Sequence, residues 1–199
     1  MMVRTSLICL LCFLSAPSFA QTEAPVPAPA SPTTNLRFLA GMALEFGGES
    51  VAEILFTNGE TQDMPAGQGL NVYAGGELAL GQSEKFRLRG SLGFKYLTTQ
   101  ADNVHIRLTR VPIQLTANYM VTDKIRLGAG LVMHQSIRLN LGGLAANQAF
   151  QPATGFIVEA SYRGVGLSFT PMTYQDLDGT SYNASAIGLT FSGSFSKKK

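Results

Sequence analysis

The stretch Phe86-Arg87-Leu88-Arg89-Gly90-Ser91-Leu92-Gly93-Phe94-Lys95-Tyr96 divides by parity into two sets. Phe86, Leu88, Gly90, Leu92, Phe94 and Tyr96 carry no charge, whereas Arg87, Arg89 and Lys95 share the other parity with Ser91 and Gly93. A period of two is the period of a β-strand, whose successive side chains point to opposite faces. The same division recurs along the chain. Taken at every second position, Leu36 to Phe46, Leu70 to Leu80, Val111 to Tyr119, Ile125 to Met133, Phe156 to Tyr162, Val165 to Phe169 and Ile187 to Phe195 are uncharged rows. The residues between them include Arg37, Glu45, Glu77, Gln114, Asn118, Arg126, His134, Arg138, Glu159 and Arg163. Eight half-buried strands in succession predict an all-β chain.

Soluble and membrane barrels share this alternation and differ in which face meets solvent. A soluble barrel needs an outer face dense in charge. Here charged residues are 14% of the chain, against roughly 25% in soluble domains. The charged face is diluted with Gly41, Gly75, Gly93, Gly128, Gly130, Gly166, Gly188, Ser91, Ser168, Ser192 and Thr190, which suit a crowded lumen. The apolar rows are therefore expected to face lipid, and the fold to be an eight-stranded antiparallel up-and-down transmembrane β-barrel.

Connection lengths agree with that expectation, because outer-membrane barrels alternate short periplasmic turns with longer outer loops. Residues 81–85, 122–124 and 163–164 are short connections, whereas Gly48 to Gly69, Gly142 to Thr154 and Gln175 to Ala184 are long. Both termini then fall at the periplasmic end. Phe86, Tyr119, Tyr162 and Phe195 are expected at one membrane interface and Phe46, Phe94, Tyr96 and Phe156 at the other.

Residues 1–20 read as a secretory signal, with Arg4, an apolar run from Leu7 to Leu14 and Ser18-Phe19-Ala20 before the cleavage point. The run is shorter than the ~20 residues of a membrane-spanning helix. Cys9 and Cys12 both lie in it, so the mature chain from Gln21 is expected to hold no thiol, disulfide or cysteine metal site. Residues 21–34 are rich in Pro and poor in large apolar groups, an extended periplasmic linker. The barrel occupies 35–199, ending on Ser196 and the basic tail Lys197–Lys199. A net charge of +2 without a basic cluster argues against nucleic acid as a partner.

The segment Arg110-Val111-Pro112-Ile113-Gln114-Leu115-Thr116-Ala117-Asn118-Tyr119, followed after a short turn by Ile125-Arg126-Leu127-Gly128-Ala129-Gly130, resembles one that recurs in the small outer-membrane β-barrels of the OmpA-like and OmpX-like superfamily. The resemblance covers roughly Asn35 to Phe195. It implies residence in the cell outer membrane, contact with outer-membrane lipid and lipopolysaccharide, delivery by the barrel assembly machinery, and surface ligands met through the outer loops. Such barrels end on an aromatic residue, whereas four residues follow Phe195 here.

Inward charges in a narrow lumen are expected to neutralise one another. Glu77 descends toward the rim from which Arg87 and Arg89 rise, and Glu159 and Arg126 lie on neighbouring strands. The arrangement His134-Gln135-Ser136 with Glu159 resembles the His-x-Ser pattern of outer-membrane lipid A deacylases, in which an acid orients His for attack by Ser. Parity places His134 and Ser136 inward, away from lipid, and Ile137-Arg138-Leu139-Asn140 departs from that family. His134 is thus read as a hydrogen-bonded lumen residue beside Arg138. His105 falls where the apolar parity slips between Leu108 and Val111, on an outer strand extension or bulge. Two histidines on separate strands do not make a zinc site. Asp176-Leu177-Asp178-Gly179 lacks the downstream Glu of a calcium loop and reads as a turn. The uncharged loop Gly142 to Ala153, with Leu144, Ala145, Ala146 and Phe150, is expected to meet a partner, lie against lipopolysaccharide or pack over the barrel mouth. No catalytic residue, metal ligand or cofactor is assigned. The expected role is that of a non-enzymatic outer-membrane protein acting through its outer loops; a narrow pore, an outer-membrane lipid hydrolase and a soluble lipocalin-like binder are the alternatives.

Overall fold

A computed structural model describes residues 35–55, 61–101 and 104–196; the segments read above as a signal and a linker, and the Lys197–Lys199 tail, lie outside these. The strands are β1 (Asn35–Phe46), β2 (Ser50–Leu55), β3 (Thr61–Pro65), β4 (Gly69–Leu80), β5 (Phe86–Ala101), β6 (Val104–Met120), β7 (Ile125–Asn140), β8 (Gln148–Ala149), β9 (Ala153–Tyr162), β10 (Val165–Thr170), β11 (Thr173–Gln175), β12 (Ser181–Asn183) and β13 (Ala186–Phe195). Antiparallel pairing runs β1-β4-β5-β6-β7-β9-β10-β13 and returns to β1, a closed ring of eight strands. These are the eight strands that alternation predicts.

Cross-strand partners set the stagger. From Phe195 they lead through Phe38, Gly76, Gly90, Leu115, Leu131 and Phe156. Extending the β9–β10 register to Pro171 and the β10–β13 register to Ser185 returns the path to the last strand ten residues from its start. That stagger corresponds to a strand tilt of about 40° and a backbone radius of about 8 Å. A cylinder so narrow is filled by its own side chains.

The apolar rows point outward, with Leu115 60% and Leu131 49% exposed. Arg37, Glu77, Arg87, Arg89, Lys95, Arg126 and Glu159 point into the lumen. Beyond this belt, β5, β6 and β7 continue, and the rule inverts. On β6 the even positions face inward throughout, but they change from Gln114, Thr116 and Asn118 to Ile106 and Leu108. The strand itself does not slip; its chemistry changes sides. Ile106 and Leu108 join Ile137, Leu139, Val51, Met64, Phe150, Met172 and Tyr174 in an apolar core at this loop end. The long connections supply its lid: β2 pairs with β3, β11 with β12, and β8 with the end of β7. Within the connection Gly48 to Gly69, β2 and β3 thus pair antiparallel, without the strict alternation that marks the ring strands.

Two sequence expectations are corrected. Thr109 faces Arg138 but Val111 faces Gln135, so β7 carries one extra residue. Ser136, at φ 50°, is that bulge. It turns Ser136 and Arg138 outward, whereas parity alone puts both in the lumen. Arg163, with φ 51°, and Gly164 at 88° form the two-residue turn expected between β9 and β10, and Arg163 lies 5.5 Å from the ring centre of Tyr162.

Leu131→Arg is expected to destabilise the barrel in vesicles by about 2–4 kcal/mol, the cost of a cation in the middle of the apolar belt. Gly130→Arg, one residue earlier, acts differently: a Cβ there meets Thr116 Cα at 2.7 Å and runs into the Leu115 carbonyl, so strand pairing itself fails. Urea titrations read by heat-modifiable gel migration separate a shifted midpoint from a barrel that does not form.

Candidate functional site: a filled lumen beneath a latched cap

The turn end is organised around one carboxylate. Register places Arg37, Glu77 and Arg89 in a single row across β1, β4 and β5. Glu77 is fully buried; its Oε1 accepts from Arg87 at 3.0 Å and its Oε2 from Arg89 Nε at 2.6 Å, with Arg37 at 3.9 Å. The Arg37 guanidinium also pairs with Glu84 in the β4–β5 turn, and Asn35 Nδ2 donates to Glu84 at 3.2 Å. Across the lumen Arg126 pairs with Glu159 and donates to Asn118 Oδ1 at 2.8 Å. Ser192 Oγ accepts from Arg89 at 3.3 Å and from Arg126 at 3.4 Å, so one hydroxyl ties the two clusters together. Both ion-pair groupings expected from parity therefore form. Between them remains a cavity of about 10 Å³ bounded by Tyr73, Arg89, Ser91, Gln114, Arg126 and Glu159, room for about one water molecule. Gly41 makes space for Tyr73, whose phenol lies where a Cβ on residue 41 would project.

A second cluster lies nearer the loop end, and sequence reasoning missed its purpose. Lys95 and Arg110 are opposite one another on β5 and β6, both buried. Lys95 pairs with Glu45 and donates to the Gly67 carbonyl at 2.6 Å; Arg110 donates to the carbonyls of Ala66 at 2.5 Å and Gln68 at 2.7 Å. The acceptors belong to the connection between β3 and β4, which dips into the mouth of the ring as a plug. Its backbone is held from the other side as well, Ala66 N donating to Glu49 O at 2.8 Å and Gly67 N to Gly47 O at 3.1 Å. Only glycine fits at 67, because a Cβ there approaches the Gly47, Ala184 and Ser185 carbonyls at 2.5–2.9 Å. Above the plug, Tyr174 of β11 is buried and its hydroxyl lies 2.5 Å from His134 Nδ1. Tyr174 and Phe150 pack with ring centres 6.1 Å apart, and Phe150 meets Tyr182 edge-on at 5.8 Å.

These positions do not assemble the His-x-Ser arrangement with Glu159. His134 is buried in the lumen with Tyr174 as its partner, Ser136 is outward on the bulge, and Glu159 is committed to Arg126. The three do not converge, and His134 is the hydrogen-bonded lumen residue expected, though Arg138 is not its neighbour. His105 is exposed on the β6 extension. Asp176 Oδ1 accepts from the amides of Asp178 at 3.0 Å and Thr180 at 2.8 Å, the bonding of a turn. Among the described residues no group of three His, Cys, Asp or Glu is placed to hold a metal ion. Of the loop Gly142 to Ala153, Phe150 and Ala153 enter the cap core, whereas Leu144 stays 62% exposed.

Glu77→Gln is expected to cost about 3–5 kcal/mol, because it strips the buried guanidiniums of their counter-ion; denaturant midpoints in micelles measure it. Arg110→Met is expected to release the plug, seen as faster amide exchange at Ala66 to Gln68 while the ring strands keep their protection. At the turn end, the Asn35 amide and then the Arg37 guanidinium hold the Glu84 carboxyl below its ordinary range. A depressed carboxyl contributes stability above its unfolded pKa and loses it as pH falls through the folded value. Glu84→Gln should therefore lower stability slightly at neutral pH and not at all in strong acid, since the pair is partly exposed.

No family model matches the chain, and no curated protein matches it. Among solved structures it is similar to Ail, the attachment invasion locus protein of Yersinia pestis, crystallised in complex with the heparin analogue sucrose octasulfate; identity is 10%, the match covers 80% of this chain and 99% of that one, and the TM-score is 0.40. The ring of paired strands is that of an eight-stranded antiparallel up-and-down β-barrel.

Proposed function

We propose that this chain is a non-enzymatic protein of the Gram-negative outer membrane, anchored by its apolar belt and presenting the closed loop end as a surface for contact. The observation that carries this reading is the inversion along β6: outward apolar residues through the belt, inward apolar residues beyond it. A wall of that kind crosses lipid and then enters water. In this orientation the turn end faces the periplasm, residues 1–20 are a removed signal, 21–34 a periplasmic linker, and the barrel assembly machinery inserts the folded strands. The Glu77 and Arg126 clusters and the plug fill the lumen, which favours an anchor over a conduit. The exposed belt opposes a soluble lipocalin-like barrel, and the separation of His134 from Ser136 opposes a hydrolase. The rim of the lid, where Leu144 and Leu177 stand exposed, is where a surface ligand is met.

The test uses single cysteines in the otherwise thiol-free mature chain. Leu177→Cys should react with a membrane-impermeant maleimide on intact cells, and Asp123→Cys only after permeabilisation, with both proteins in the outer-membrane fraction and heat-modifiable on gels. Recovery as a soluble periplasmic protein, or the reverse labelling order, would overturn the proposal.

A further inference from the structure

The described cations sort by place. Arg37, Arg87, Arg89, Lys95, Arg110 and Arg126 point into the lumen, and Lys85, Lys124 and Arg163 lie at the turn end. Arg107 and Arg138 remain, both exposed on the outer wall of β6 and β7 at the loop end. Their height is fixed by register. Tyr96, Thr109 and Arg138 form one row across β5, β6 and β7, and Arg107 sits one outward position further on, opposite Thr98 and Asn140. Below this row the outward pairs are Val111–Gln135 and then the apolar Ile113–Met133 and Leu115–Leu131. Ten residues separate Tyr119 from Thr109 along β6, a rise of about 25 Å at the tilt of this barrel. That equals the apolar band of such barrels, about 25 Å tall. Arg138 thus stands where hydrocarbon ends.

Neither arginine enters an ion pair among the described residues. The Ser136 bulge is what brings Arg138 to this wall, since unbroken alternation would turn it into the lumen. Exposed Ser136 and half-buried Thr109 and Gln135 add hydrogen-bonding groups around it.

We propose that this wall is a binding site for a phosphate-bearing lipid of the outer leaflet. The phosphate is clamped by Arg107 and Arg138, and the acyl chains lie along Ile113, Leu115, Leu131 and Met133. Guanidinium forks match phosphate oxygens in bidentate geometry. A soluble anion would gain only the charge; a lipid gains the apolar wall as well. The inference rests on the membrane orientation proposed above.

The mature protein, folded in detergent and checked by heat-modifiable migration, is incubated with bis-phosphorylated hexa-acyl lipid A and examined by native mass spectrometry. Wild type should retain the lipid, and Arg107→Gln/Arg138→Gln should retain about tenfold less. Fully dephosphorylated lipid A should bind both proteins equally and weakly. Lys124→Gln/Arg163→Gln, which removes cations from the other rim, should match wild type. The proposal is overturned if the Arg107/Arg138 variant binds as wild type does, if both variants lose binding equally, or if excess inorganic phosphate displaces the lipid completely. Those results leave the membrane reading intact; a chain that folds and stays soluble without detergent overturns both.

Discussion

Every backbone amide in a hydrocarbon layer needs a partner within the protein, because no water is there to supply one. For a chain of short strands the constraint has one solution, a ring without edges, and the return of β13 to β1 provides it. Closure at eight strands then fixes the radius, the radius fixes the lumen volume, and the lumen volume decides which side chains can point inward. Glycines at 41, 75 and 130 sit where a Cβ would strike a neighbouring ring or carbonyl. The sequence on the inner face is thus a packing solution before it is anything else.

Charge in that lumen follows from the same constraint. Polar side chains cannot face lipid and must go inward, where each needs compensation. Glu77 answers Arg87 and Arg89, Glu159 answers Arg126, and Glu45 answers Lys95. Arg110 has a different answer: two backbone carbonyls of the plug. A guanidinium without a carboxylate binds the chain's own peptide dipoles, and in doing so it holds the mouth closed.

Parity made the ring, its outward belt and two of the ion-pair clusters legible, because each depends only on which face a residue occupies. It failed where the backbone leaves the regular path. Gln135-Ser136 looks like ordinary strand, and nothing in its composition marks the left-handed residue that reverses Ser136 and Arg138. Val51 to Leu55 lacks strict alternation because its hairpin packs as a lid over the mouth and not as a wall. The role of Arg110 was invisible for a further reason: its partners are main-chain oxygens, which every residue type possesses.

The inversion on β6 and the bulge on β7 are two answers to one problem. A strand leaving the membrane must move its apolar side chains from the outer to the inner face. β6 does so by changing residue types at constant parity, Ile113 and Leu115 outward giving way to Leu108 and Ile106 inward. β7 keeps its apolar residues on odd numbers, from Leu131 and Met133 to Ile137 and Leu139, and lets one extra residue shift the face instead. The two strands are neighbours, so their inward apolar residues meet in the same core. Their polar residues on this wall, Arg107 and Arg138, are displaced to the outside together. The solution that builds the cap therefore also places two cations on the outer wall where β6 and β7 rise beyond the belt side by side.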